Sequence, residues 1–215
     1  MTERPILFSA PMVSAILAGR KTQTRRIVKP PIGWSSGHVH SSANGEWGLY
    51  LDRPHAGPYQ HIGKCPFGVP GNHLWVREAW APSEYSYEDR SVSDLPLNCQ
   101  IAYLADGKLS GDRYRTSTHM PRWASRITLE ITGVRVERLQ EISYADAEAE
   151  GIEFSESSEQ AREWREYSAD DWTSCPIDSF ASLWGKIHAD DGPNGWAGNP
   201  WVWVIEFRRL EGGLA

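Results

Sequence analysis

Cysteine is scarce in this chain. Cys65, Cys99 and Cys175 are three residues among 215, too few and too scattered for a disulfide framework or a CxxC zinc knuckle. A reduced, cytoplasmic setting is therefore the expectation. No run approaches the roughly eighteen apolar residues that a membrane-spanning helix needs, so no membrane partner is expected. The start, Met1-Thr2-Glu3-Arg4-Pro5, shows no basic region followed by an apolar one, and so reads as lacking a secretory signal. Internal repeats and long low-complexity tracts are missing too, which excludes solenoids and fibrous arrays. What is present is globular: 40% hydrophobic and 23% charged residues, with a mean hydropathy of −0.51. A mass of 24.2 kDa suits one elaborated domain spanning residues 1–215.

Acid is absent where base is concentrated. From Arg4 to Asn44 the chain carries six Lys/Arg and no acid, whereas from Glu141 to Asp191 it carries fourteen acids against three bases. The net charge of −6 argues against indiscriminate nucleic-acid binding. The basic end can still receive a phosphate, a nucleotide or a short RNA.

Pro5 to Phe8 reads as a strand. Ser9 or Ala10 then caps a helix with Pro11 in its first turn and Met12, Val13, Ile16 and Leu17 on one face, and Gly19 stops it. Residues 30–68, rich in Gly, Pro, Ser and His, read as an inserted excursion with a short hairpin near Glu46–Leu51. Further strands are expected at His73–Trp80, at Gln100–Leu104 and at Arg126–Leu139. In the last of these the alternation slips at Gly133, the mark of a β-bulge. Ser143-Tyr144-Ala145-Asp146 opens a helix that Gly151 closes. Residues 153–176 read as an acidic helical or loose insertion. Phe180, Leu183, Trp184 and Ile187 mark an amphipathic helix, and Trp201–Arg208, apolar on both faces, a central strand. Together these make an α+β protein: a small β-barrel with flanking helices and two long insertions, at about 30–68 and 153–176.

Four residues stand out as carriers of chemistry. Lys21 has Arg20, Arg25 and Arg26 beside it, and both like charge and burial favour its neutral amine, which could serve as a general base. Thr24, three residues on, offers a hydroxyl to such a base, although a regular strand would put the two on opposite faces. The bland alternative is a solvated basic turn. Glu150 ends its helix directly before Gly151, where the dipole disfavours a carboxylate; it is either solvated or held for a purpose, and Glu148 competes with it. Glu78 shares strand phase with Leu74, Val76 and Trp80. It is expected to be buried, paired to a base of the 20–26 segment or serving as a site carboxylate. His61 and Cys65 have metal-like spacing but no second pair, so no metal and no cofactor are expected. Trp75, Trp80 and Trp123 are candidates for stacking on a base.

The stretch Ile16 to Arg26 (Ile-Leu-Ala-Gly-Arg-Lys-Thr-Gln-Thr-Arg-Arg), followed by Pro70-Gly71-Asn72-His73-Leu74-Trp75-Val76 and the terminal Trp203-Val204-Ile205-Glu206-Phe207, resembles the ASCH-domain family, whose fold is similar to the PUA RNA-binding domain. Asn72 stands where that family usually has aspartate. The resemblance covers about half the chain, and larger proteins of this appearance are similar to ones from phages and prophages. Within the superfamily the chain is similar to bacterial N4-acetylcytidine amidohydrolases. That likeness implies catalysis by Lys21 as base, Thr24 as nucleophile and Glu150, in Ala147-Glu148-Ala149-Glu150-Gly151, as acid. Arg20, Arg26, Glu78, Trp75 and Trp80 are then candidate substrate-binding residues, and the implied partner is a modified nucleoside or nucleotide, or RNA. A PUA-like module that binds nucleic acid without chemistry is the alternative from another class, and a ribonuclease using the same residues is a third.

Overall fold

A computed structural model describes residues 2–29, 38–41, 46–50, 60–84, 87, 89–107, 113–157, 161–188 and 192–211. Its centre is a five-stranded sheet in the order β1 (Glu3–Leu7), β6 (His73–Arg77), β9 (Thr128–Arg138), β13 (Trp201–Arg209) and β2 (Gln23–Ile27). β1 runs parallel to β6, and every other pair is antiparallel. The chain is mixed α+β with a sheet-rich core, but the expected closed barrel is not formed. β1 and β2 are sheet edges without a shared ladder. The sheet nevertheless curls until the two edges lie one arginine apart, because Arg26 Nη2 of β2 donates to the Leu7 carbonyl of β1 (2.6 Å).

Alternation sorts the sheet's side chains. Trp203, Ile205 and Phe207 face one side, with Leu74, Val76, Leu129 and Ile131, and meet Val13 and Ile16 of helix α1 (Ala10–Leu17). Val202 and Val204 face the other side and pack on Phe180 and Trp184 of α3 (Pro176–His188) and on Ala147 of α2 (Tyr144–Ala149). Burial of each such Ile, Leu or Val contributes about 1.5–3 kcal/mol. β13 is thus central, as its unbroken apolar run implies. The slip at Gly133 is a bulge: Glu206 pairs with Gly133 and Phe207 with Ile131, leaving Thr132 over.

Three expectations need correction. The strand read over His73–Trp80 breaks after Arg77, and its continuation, β7 (Trp80–Pro82), pairs with β8 (Ile101–Tyr103) in a separate two-stranded ribbon. Gln100–Leu104 therefore never joins the main sheet. The acidic stretch 153–176 is neither helical nor loose but a three-stranded antiparallel sheet, β10 (Phe154–Ser157), β11 (Ala161–Glu166) and β12 (Asp171–Thr173). Its charged residues outnumber apolar ones such as Trp164 too heavily for alternation to announce a strand. The excursion read at 30–68 holds β3 (His38–Ser41), β4 (Glu46–Tyr50) and β5 (Gln60–Lys64), so the expected hairpin is part of a meander. Trp47 of β4 lies edge-on to Trp203 at 6.0 Å between ring centroids, so the meander covers the main core. Among the described residues no helix is long and apolar enough to cross a membrane.

Candidate active site

Helix α1 ends at Gly19, whose φ of +73° turns the chain back on itself. The next three residues then serve the C-terminal end of α2, where helical carbonyls lack intrahelical donors. Thr22 N donates to Ala149 O (2.9 Å), Lys21 Nζ to Glu150 O (2.7 Å), and Arg20 Nη1 to Gly151 O and Ile152 O (3.4 and 3.3 Å). Gly151 is the tight point of this junction. Its φ is +81°, and a Cβ there would stand 2.7 Å from Lys21 Cβ and 2.9 Å from Ala15 Cβ. Gly151→Ala is expected to cost about 2 kcal/mol or more, from left-handed strain plus overpacking, and chemical denaturation would measure it.

Lys21 Nζ also donates to Glu150 Oε2 at 2.8 Å, with both side chains buried. A contact between residues 129 apart, one from each charge pole of the sequence, is thereby made in the interior. Burial pushes the Lys21 ammonium below the usual lysine range. The Glu150 carboxylate opposes that shift, and Arg26 and Arg25 add to it. Arg25 Nη1 holds the other carboxylate oxygen, Oε1, at 3.1 Å. Glu150 is therefore neither solvated nor alone. Glu148, the competitor, is half-exposed and reaches Arg162 at 3.5 Å instead.

β2 then divides the motif between two faces. Gln23 and Arg25 point to the α2–α3 side: Gln23 Nε2 donates to Asp146 O (2.7 Å), and Arg25 Nη2 meets Glu137 (2.5 Å) and Asp146 (3.6 Å). Arg135 completes that network with Glu137, Asp146 and Glu206. Thr24 and Arg26 point to the α1 side, where Thr24 lies opposite Ile205. The Lys21 ammonium and the Arg26 guanidinium both lie over the Phe8 ring, at 5.6 and 5.3 Å from its centroid, which brings Lys21 to Thr24's face. Lys21 precedes β2, so strand phase does not by itself put it on the face opposite Thr24. Among the described residues no hydrogen bond joins the Thr24 hydroxyl to Lys21 or Glu150.

Of the three residues, Glu150 faces a cavity of about 250 Å³. Its walls come from Pro11 and Met12 of α1, Tyr167 after β11, and Leu183 and Ile187 of α3. Ile187 is half-exposed because it lines this opening rather than the core. The volume falls just under the ~300–1,000 Å³ of drug-sized sites and suits a ligand of nucleobase size, with Glu150, Glu153 and Lys186 set among the apolar walls.

The other candidates lie elsewhere. Glu78 is buried as expected, but its partner is not in the 20–26 segment. Arg126 grips it with two bonds of 3.0 Å and holds Asp106 at 2.6 Å. The strand ends at Arg77, and Glu78 meets Arg126 beside Tyr103 of the β7–β8 ribbon instead. Burial raises its carboxyl against the pull of Arg126. Trp80 is sealed beside Trp123 in that ribbon's own cluster, and Trp75 is buried with Arg77 and Arg122 on its ring, so neither lines the cavity. Arg20 and Arg26 serve backbone carbonyls. Cys65 is a core residue whose thiol is raised by burial, and the His61 side chain lies outside the described residues. Sequence reasoning missed Arg25 as the second holder of Glu150, and Tyr167 as a cavity wall. Strand phase offered a signal for Arg25, being the one motif arginine on the opposite face from Arg26; Tyr167 had none. No protein-family model, curated protein or solved structure matches the chain.

Proposed function

We propose that the chain is an amidohydrolase that removes an acyl group from the exocyclic N4 of a cytidine-type nucleoside or nucleotide, on a PUA-like fold of the ASCH type. The carrying observation is the buried Lys21–Glu150 pair, whose Glu150 member lines a cavity of nucleobase size. Buried ion pairs contribute little net stability, so a lysine and a carboxylate brought together across the sequence suit proton chemistry better than scaffolding. The three unpaired cysteines accord with a reduced, cytoplasmic setting.

A single proton shift along the 2.8 Å bond converts the ion pair into a neutral amine and a carboxylic acid. The burial that lowers Lys21 favours that form. Lys21 Nζ then takes the Thr24 hydroxyl proton as Thr24 Oγ1 attacks the acyl carbon, and Glu150 gives its proton to the departing N4 as the C–N bond breaks. The pair is left as ammonium and carboxylate. Water attacks the acyl-threonine ester, its proton passing to Glu150, while Lys21 returns a proton to Thr24 Oγ1. The free acid leaves, and the neutral pair is restored.

Because the pair works with one shared proton, kcat/KM is expected to follow a bell in pH, its alkaline limb lying below the ordinary lysine value of 10.5. A limb at or above that value would remove Lys21 as the base. The direct test is incubation with N4-acetylcytidine and chromatography for released cytidine, comparing the wild type with Lys21→Ala. Turnover by the wild type and none by the variant is expected.

One observation favours a second reading, a nucleoside-binding module without catalysis. Both oxygen contacts of Lys21 go to Glu150, and the Thr24 hydroxyl bonds to neither residue. On that reading N4-acetylcytidine binds in the cavity and is recovered intact.

A further inference from the structure

A second cavity, of about 340 Å³, opens on the far side of the same backbone segment. Ala149 and Ile152 face it, whereas Glu150, Gly151 and Glu153 face the first, so residues 149–153 form a wall common to both. The proposed chemistry makes no use of this second space. Its lining is of another kind: Arg20 and Arg162, with Phe154 and Trp164. The Arg162 guanidinium lies over the Phe154 ring at 4.5 Å, both half-exposed, and Phe154 sits directly across the ladder from Trp164. A guanidinium stacked on an aromatic ring makes a platform for a nucleic-acid base, and two arginines supply donors for a phosphate. Arg20 joins the second space to the shared wall, since it lines that space and its Nη1 donates to the Gly151 and Ile152 carbonyls.

We infer that the second cavity takes the neighbouring nucleotide of a single RNA strand, its base on the Arg162–Phe154 platform and its phosphate at Arg20 and Arg162, while the modified cytosine enters the first. This rests on the hydrolase reading for the occupant of the first cavity. Among the described residues that line this cavity Glu148 is the acid; it meets Arg162 at 3.5 Å with both groups near half exposure, so a phosphate competes with an exposed pair of small worth. The acidic stretch thus contributes a basic, aromatic patch through β10 and β11.

The test measures kcat/KM for N4-acetylcytidine, for its 5′-monophosphate and for a short single-stranded RNA carrying one N4-acetylcytidine. Wild type, Arg162→Glu and Phe154→Ala are compared. Anisotropy of the same RNA with unmodified cytidine gives binding apart from chemistry. The strand is expected to exceed the free nucleoside about tenfold or more, and both variants to remove that advantage while leaving the nucleoside rate unchanged. Arg162→Glu leaves the Phe154–Trp164 pairing in place and so guards against a ribbon that has merely unfolded. A strand no better than the nucleoside, or a monophosphate as good as the strand with Phe154→Ala silent, overturns the inference while the hydrolase reading stands. Strand binding that depends on Arg162 and Phe154, with no substrate hydrolysed, upholds the second cavity and overturns the hydrolase.

Discussion

Glu150→Ala is expected to lower the unfolding free energy by about 3–5 kcal/mol and to abolish acyl hydrolysis. The stability loss comes from what is left behind: a Lys21 ammonium with no exposed side-chain surface, and an Arg25 guanidinium equally enclosed, each short of its carboxylate oxygen. Denaturant titration measures the first effect and the cytidine-release assay the second. The double variant Lys21→Met/Glu150→Leu separates them. Apolar groups of similar volume replace the pair without stranding its ammonium, so most of the stability returns, whereas hydrolysis does not. Recovery of both would reduce the pair to scaffolding. A Glu150→Ala protein as stable as the wild type would contradict the burial on which the account depends.

Thr24→Ala is expected to behave in the opposite way. Thr24 sits in the edge strand opposite Ile205, and its hydroxyl has no hydrogen-bond partner among the described residues, so removing it breaks no observed bond and costs about 1 kcal/mol in packing. The rate effect is far larger, because a missing nucleophile leaves only background turnover: kcat falls by a factor on the order of 10³ or more. Stopped hydrolysis with a nearly unchanged melting temperature is what sets a nucleophile apart from a core threonine. A variant that loses rate only in proportion to lost fold would return Thr24 to the core.

How far the sequence could be read depended on whether the signal was local. β13, the bulge at Gly133, the Ser143-capped helix and the stop at Gly19 follow from alternation and turn chemistry within ten or so residues, and all are present. The fate of Glu78 was not local. Phase alone buried it correctly, but its partner depended on the break after Arg77, which no glycine or proline announces. Closure of the sheet was a question of the same kind. It turns on whether β1 and β2 share a ladder, and what spans the seam is the Arg26 side chain, a contact across 19 residues that carries no periodic trace. The acidic stretch misled because its charges crowd out the alternation by which a strand is recognised, while β10–β12 hold one another chiefly by backbone pairing and by ion pairs such as Arg165 with Glu153 and Asp170.

Within the site, the lowered proton affinity of Lys21 comes first from burial, which is tertiary, and was legible only in its smaller cause, the charges of Arg26 and Arg25 in the same segment. That Glu150 rather than Glu148 would meet it was not. The choice is made by the C-terminal end of α2, where Lys21 binds the Glu150 carbonyl and carboxylate together. The cavity itself is assembled from four separate parts of the chain; Met12, Leu183 and Ile187 among its walls read in sequence only as apolar helix faces, and nothing local showed that they would meet around Glu150.

The most direct measurement is on the covalent step. The protein is mixed with N4-acetylcytidine, quenched in acid within the first turnovers, digested and analysed by mass spectrometry. The account predicts an added acetyl group on the peptide carrying Thr24, formed as cytidine is released and absent from both Thr24→Ala and Lys21→Ala. Cytidine release with no acylated peptide, undiminished in Thr24→Ala, would contradict it.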